Sequence, residues 1–132
     1  MNFDKEKYSK ALKEFYAKVR EDDILGPVFN ENVTNWDSHL RKIEIFWENH
    51  LVMPGLYKGN PHLIHQKLHE KFPLTEEMFQ RWLELFEVTM KDFLGDEAKK
   101  MVMKARIIGG TLYGRILEKD LEVPSFPPFG KI

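Results

Sequence analysis

Three observations predict an all-α chain folded as one domain. Period-2 alternation of apolar and polar residues is never sustained. Apolar side chains recur three and four positions apart instead, and Asn, Thr, Pro and Gly punctuate them at helix-length intervals. The 132 residues match a single domain in length, one that buries roughly two-thirds of its unfolded surface.

The first helix is expected over residues 4–21, with Tyr8, Leu12, Phe15, Tyr16 and Val19 along one face. Gly26-Pro27 breaks the pattern and leaves Ile24, Leu25, Val28 and Phe29 as apolar anchors around a turn. Thr34 or Asn35 caps the second helix, with Asp37 in its first turn and an inner stripe of Trp36, His39, Leu40, Ile43, Phe46, Trp47 and Leu51. Met53-Pro54-Gly55 ends it, and residues 56–60 form a loop. Asn60 followed by Pro61 starts a short helix to about residue 71, stopped ahead of Pro73.

Thr75 caps the next helix, whose buried side is Met78, Phe79, Trp82, Leu85, Phe86, Thr89, Met90 and Phe93, up to Gly95. The last helix starts near Asp96 and turns Met101, Val102, Ala105, Ile108, Leu112 and Ile116 inward. Gly109, Gly110 and Gly114 lie within it at a cost of ~1 kcal/mol each against alanine, which implies close packing on another helix or a ligand. The ending PSFPPFGKI has three prolines and reads as a non-helical tail, docked if at all through Phe126 and Phe129. The chain thus divides into a domain over residues 1–121 and a Pro/Phe-rich tail over residues 122–132.

Composition narrows the function. Twenty basic residues face 21 acidic ones, and a net charge of −1 without a basic stripe leaves no footprint for nucleic acid. There is no cysteine, which excludes disulfides, thiolate-ligated zinc, all-thiolate iron–sulfur clusters and covalently attached c-type haem. The start, MNFDKEKYSK, is charged where a signal peptide is apolar, and no apolar run approaches about 18 residues. A cytoplasmic protein away from membranes is the expectation. Ten phenylalanines suit a pocket for a flat apolar ligand and suit an ordinary core equally well.

His62, His65 and His69 fall at i, i+3 and i+7 on one short helix, on broadly the same face. Three readings stand: a solvated polar face, a zinc pair at His65 and His69 lacking further ligands at matching offsets, or one axial ligand for haem. Haem iron already has four porphyrin nitrogens and needs one neutral donor, inside an apolar, aromatic site with a few polar groups. Phe15, Tyr16, Phe29, His39, Phe46, Trp47 and Trp82 supply such parts, and each is also an ordinary core residue type.

A resemblance to a known family separates these readings. HEKFPL at residues 69–74 followed by FQRWLELF at residues 79–86 resembles the haem-binding half of a truncated haemoglobin, with a histidine three positions before a bulky apolar residue and about thirteen before a Trp. EFY at 14–16, LGPVF at 25–29, WDSH at 36–39 and YKGNP at 57–61 resemble the distal tyrosine segment, the turn after it, the distal helix and the approach to the proximal helix. The likeness runs from about Leu12 to Ile116. It is to the third group of that family, because Leu25-Gly26-Pro27 stands where other groups carry paired glycines.

The resemblance implies a shortened globin fold, a two-over-two helical sandwich around non-covalent haem b. It implies His69 as proximal iron ligand beside Phe72, with His65 as the rival on the same helix. Tyr16 is implied as main distal donor, Trp82 as a second donor through its indole N–H, and His39 as gate or rim residue. Phe15, Phe29, Phe46 and Trp47 pack on the porphyrin or close the distal side, and Lys42 meets a propionate. Binding of O2, NO and other diatomics is implied. Three polar donors favour nitric oxide dioxygenase-like or peroxidase-like chemistry with an external reductase over O2 delivery, and a non-catalytic carrier or sensor is the alternative. No oligomer interface is legible, so a monomer is expected.

Overall fold

A computed structural model of the chain describes residues 4–52 and 59–120, with side chains to residue 116. Met53-Pro54-Gly55, residues 56–58 of the loop expected over 56–60, and the tail with Phe126 and Phe129 lie outside the described residues. Within them are α1 (Lys5–Glu21), α2 (Gly26–Asn32), α3 (Trp36–Leu51), α4 (Pro61–Lys71), α5 (Glu76–Leu94), a 3-10 turn (Gly95–Glu97) and α6 (Ala98–Asp120).

Local chemistry sets the helix starts. An N-terminal turn leaves backbone N–H groups unpaired, and a short oxygen-bearing side chain accepts from one of them. Asp4 accepts from Lys7 N–H, Asn35 from Ser38 N–H and Asn60 from Leu63 N–H, each at 3.1 Å, and Thr75 accepts from Met78 N–H at 3.2 Å. Each such cap contributes about 1 kcal/mol. Asn35, not Thr34, is the cap of α3. Gly95 ends α5 at φ +59°, a left-handed conformation that glycine adopts at no steric cost.

Four expectations need correction. The turn at Gly26-Pro27 is the first turn of a helix, α2. Proline has its φ preset for a helical start and lacks an N–H that the first turn leaves unpaired anyway, so Gly-Pro here opens a helix after closing another. Phe93 is 39 % exposed, because the core stripe of α5 runs Phe86, Met90, Leu94 and puts Leu94 in the place expected of Phe93. The glycines of α6 do not receive another helix. A Cβ at Gly110 or Gly114 would meet open space, and one at Gly109 only the tip of Leu83 at 4.0 Å. The last helix also begins two residues later than expected, after the 3-10 turn.

The long helices pack as two pairs, α1 with α3 and α5 with α6, joined where α1 lies on α5. The core at that junction is Leu12, Phe15 and Val19 of α1 against Phe86, Thr89 and Met90 of α5 and Met101 of α6, all fully buried. Lys18 Nζ donates to the buried Thr89 hydroxyl at 3.3 Å, which satisfies the polar atom there. α2 packs on α1, and α4 packs on α6. The joint between α1 and α2 is pinned by Asp22, whose Oδ2 accepts from Ile24 and Leu25 N–H at 3.0 Å while Oδ1 accepts from Arg81 of α5 at 2.7 Å.

Candidate haem site

Helix α1 carries Phe15 and Tyr16 at the centre of an aromatic group that α2, α3 and α5 complete. The Phe15 ring, wholly buried, meets Tyr16 at 4.7 Å, Trp82 at 5.1 Å and Phe86 at 5.0 Å, each edge to face. Trp82 stacks on Phe86 at 4.8 Å, and Trp47 of α3 stacks on it at 5.3 Å. Pairs of this geometry add ~0.5–1.5 kcal/mol each beyond the area they bury. On its other side Tyr16 meets Phe29 at 5.9 Å, Trp36 at 5.9 Å and His39 at 6.2 Å. Spacing explains the gathering: Leu12, Phe15, Tyr16 and Val19 share one face of α1, and Trp36 and His39 sit three apart on the first turn of α3.

The polar atoms of this group are few and specific. Tyr16 is 7 % exposed, and burial pushes its phenol pKa up, opposed in part by a hydrogen bond with the Trp82 side chain. The indole nitrogen is a donor only, so its N–H points to the phenol oxygen and the Tyr16 proton is left to donate elsewhere. His39 is half-buried, and burial first, then the nearby Lys42 charge, lowers its pKa. It is therefore neutral at pH 7, with one N–H and one lone pair. Lys42 itself is exposed.

The predicted residues separate into two layers. Tyr16, His39, Phe29 and Trp82 come together as expected, with Phe29, His39 and Trp82 half-buried. Phe15 and Trp47 lie deeper, fully packed behind Tyr16 and against Phe86. Phe46 is half-buried, near Trp47 at 5.6 Å and His50 at 4.4 Å. Two contributors carried no motif. Phe86 is the ring on which both buried tryptophans stack, and Arg20 holds its guanidinium 4.6 Å over Trp36. Arg20 stands four residues after Tyr16, and that helical offset is the only signal for it in the sequence.

Helix α4 presents its histidines in different states. His65 Nδ1 lies 2.7 Å from the Pro61 carbonyl, which only accepts, so Nδ1 carries the proton and Nε2 the lone pair. His69 Nδ1 accepts from Leu74 N–H at 2.8 Å. Burial lowers the His65 pKa against the Pro61 bond, which keeps that ring neutral. His62 Nδ1 is buried without a hydrogen-bond partner. Phe72, half-buried, is the C-cap of α4, its N–H donating to Leu68 O at 2.7 Å. Among the described residues no three His, Asp or Glu side chains gather to hold a metal ion, so a zinc site on α4 has no third ligand there.

The family profile of bacterial-like globins matches residues 4–108. The chain belongs to that family. A group 3 truncated hemoglobin of Campylobacter jejuni is 35 % identical over 103 residues, which span 75 % of this chain and 79 % of the relative. The crystal structure of a group III truncated hemoglobin from Campylobacter jejuni superposes with a TM-score of 0.78 at 32 % identity, covering 87 % of this chain and 92 % of that one. This globin therefore has the shortened, two-over-two fold of the group III truncated haemoglobins, and membership implies haem-based binding of diatomic ligands.

The side chains fit a haem on their own chemistry. A neutral imidazole with its Nδ1–H fixed by a backbone carbonyl is the usual form of a histidine that gives Nε2 to a metal. Tyr16, Trp82 and His39 are sparse polar groups in an aromatic setting. The depression around Asp22, Gln80, Arg81 and Glu84, by contrast, is lined by polar and charged groups and offers a flat apolar ligand little.

Proposed function

We propose that the chain holds haem b through His69 and carries out chemistry between O2 and NO, or on peroxide, rather than O2 delivery. The observation that carries this reading is the Tyr16 phenol, buried and un-ionised beside Phe29, Trp36 and His39, where its proton can be offered to a ligand. Non-covalent attachment follows from a sequence without cysteine. When bound, haem supplies an iron with an open axial position for a diatomic ligand and for electron exchange. Tyr16 donates its O–H towards that ligand, Trp82 orients the phenol, and neutral His39 offers a second N–H at the rim. Fixed donors of this kind favour charge developing on the ligand, and tight retention of O2 opposes simple release. Phe29 and Phe46 border the macrocycle, Phe72 its proximal edge, and Phe15 and Trp47 back them from the core. Lys42, exposed one turn beyond His39, pairs with a propionate. A separate reductase supplies electrons to a monomeric, cytoplasmic protein. No helix among the described residues is long and apolar enough to cross a membrane.

Two histidines of α4 compete for the iron. Spacing to Phe72 and Trp82 favours His69, and His65, whose Nδ1 lies 2.7 Å from the Pro61 carbonyl, is the rival one turn earlier. Purified wild type should show a strong band at roughly 400 nm, the main porphyrin absorption. His69→Ala should lose tight haem binding and His65→Ala retain it; the reverse result moves the ligand to His65. Mixing the oxygenated protein with NO should form nitrate stoichiometrically, and catalytically once a reductase is added. Ligand binding and release without nitrate assigns the chain a carrier role instead.

A further inference from the structure

Resting on the haem reading above, we infer that Trp36 is a positioning residue for the distal side, fixing the His39 imidazole, and that Arg20 in turn fixes Trp36. His39 faces Tyr16 at 6.2 Å, yet among the described residues no hydrogen bond holds its ring nitrogens. Ring contacts therefore set its orientation. The nearest is Trp36, whose ring lies 5.3 Å away at 86°, a T-shaped contact from the same helical turn. Trp36 is itself clamped on three sides: Phe29 stacks on it at 6.4 Å and 27°, Tyr16 lies at 5.9 Å, and the Arg20 guanidinium covers it at 4.6 Å.

The clamp is anchored to the backbone at both ends. Arg20 Nε donates to Asn30 Oδ1 at 3.4 Å, and Asn30 Nδ2 donates back to Arg20 O at 3.0 Å, which ties the guanidinium to the α1–α2 joint. On α3, Asn35 accepts from Ser38 N–H through its side chain and from His39 N–H through its carbonyl at 3.0 Å, so Trp36 and His39 share one braced turn. A cation over an indole face gains in strength as it loses water, and half-burial of Trp36 favours that. The chain Arg20, Trp36, His39 leads from the surface to the distal side, and each contact limits the swing of the next ring.

Haem-loaded Trp36→Leu should split the C–O stretching band of the CO complex into two populations and raise the CO association rate several-fold. Trp36→Phe should restore most of the single band, and Arg20→Gln, at an exposed site, should shift both readouts the same way by less. In a His39→Leu background, Trp36→Leu should add nothing. Without haem, Trp36→Leu should move the His39 Cε1–H resonance by removing its ring-current shift. An unchanged band and resonance in folded Trp36→Leu overturn the proposal, as does an undiminished effect in the His39→Leu background. Wild type that takes up no haem overturns the haem reading itself, a result the absorption spectrum gives separately from the variants.

Discussion

At Tyr16 burial keeps the phenol un-ionised, so its proton is retained across the physiological pH range. One donor lost to a bound ligand costs ~1–2 kcal/mol, so Tyr16→Phe should raise the O2 dissociation rate by roughly tenfold in stopped flow. An unchanged rate removes Tyr16 from the ligand's surroundings. Trp82→Phe should raise it too, by less, because the phenol proton remains but loses its guide. Much of this residue group was legible in sequence, since Phe15, Tyr16, Trp36 and His39 follow from helical offsets alone. The state of each histidine was not. His65 and His69 differ by which backbone group approaches Nδ1, and Pro61 O and Leu74 N–H are placed by the ends of α4 rather than by any side-chain spacing.

Between elements, the α1–α2 joint is the tightest backbone approach described. A Cβ at Gly26 would stand 2.8 Å from the Arg20 carbonyl oxygen, and backbone must move to admit it. Gly26→Ala should therefore cost ~1–3 kcal/mol, the usual range for overpacking, seen as a lower denaturant midpoint with an unchanged slope. Asp22 pins the same joint. Burial pushes its carboxyl pKa up, but the Arg81 hydrogen bond and the N–H groups of Leu25 and Ile24 outweigh it and hold the group below its ordinary value. A depressed folded pKa gives stability that is present above the unfolded value, near 4, and lost as pH falls through the folded one. Wild type should lose stability on acidification below about pH 4 more steeply than Asp22→Asn, and parallel curves would discount the pair. Sequence located the start of this joint at Gly26-Pro27 but not its form, because glycine and proline mark helix ends and helix starts alike. Phe93 shows the opposite difficulty: helical phase drifts along α5, and near its end a one-residue drift decides which side chain is inside.

Over the whole molecule, α1, α3, α4 and α5 were readable in order because each of those starts carries its own cap, whereas pairing of helices depends on contacts far apart in sequence. Haem binding to the folded state alone adds stability by mass action. The melting temperature of wild type should rise on addition of haem, and that of His69→Ala should not, a comparison calorimetry makes directly. The arrangement of rings has an optical consequence. The chain has three tryptophans, two of them stacked on Phe86 and the third against Tyr16, so every indole belongs to one connected aromatic group. Ultraviolet emission from this protein therefore comes from a single neighbourhood, and a porphyrin seated beside it would drain that emission by energy transfer. Fluorescence quenching becomes a titration of the site built into the native chain, needing no label.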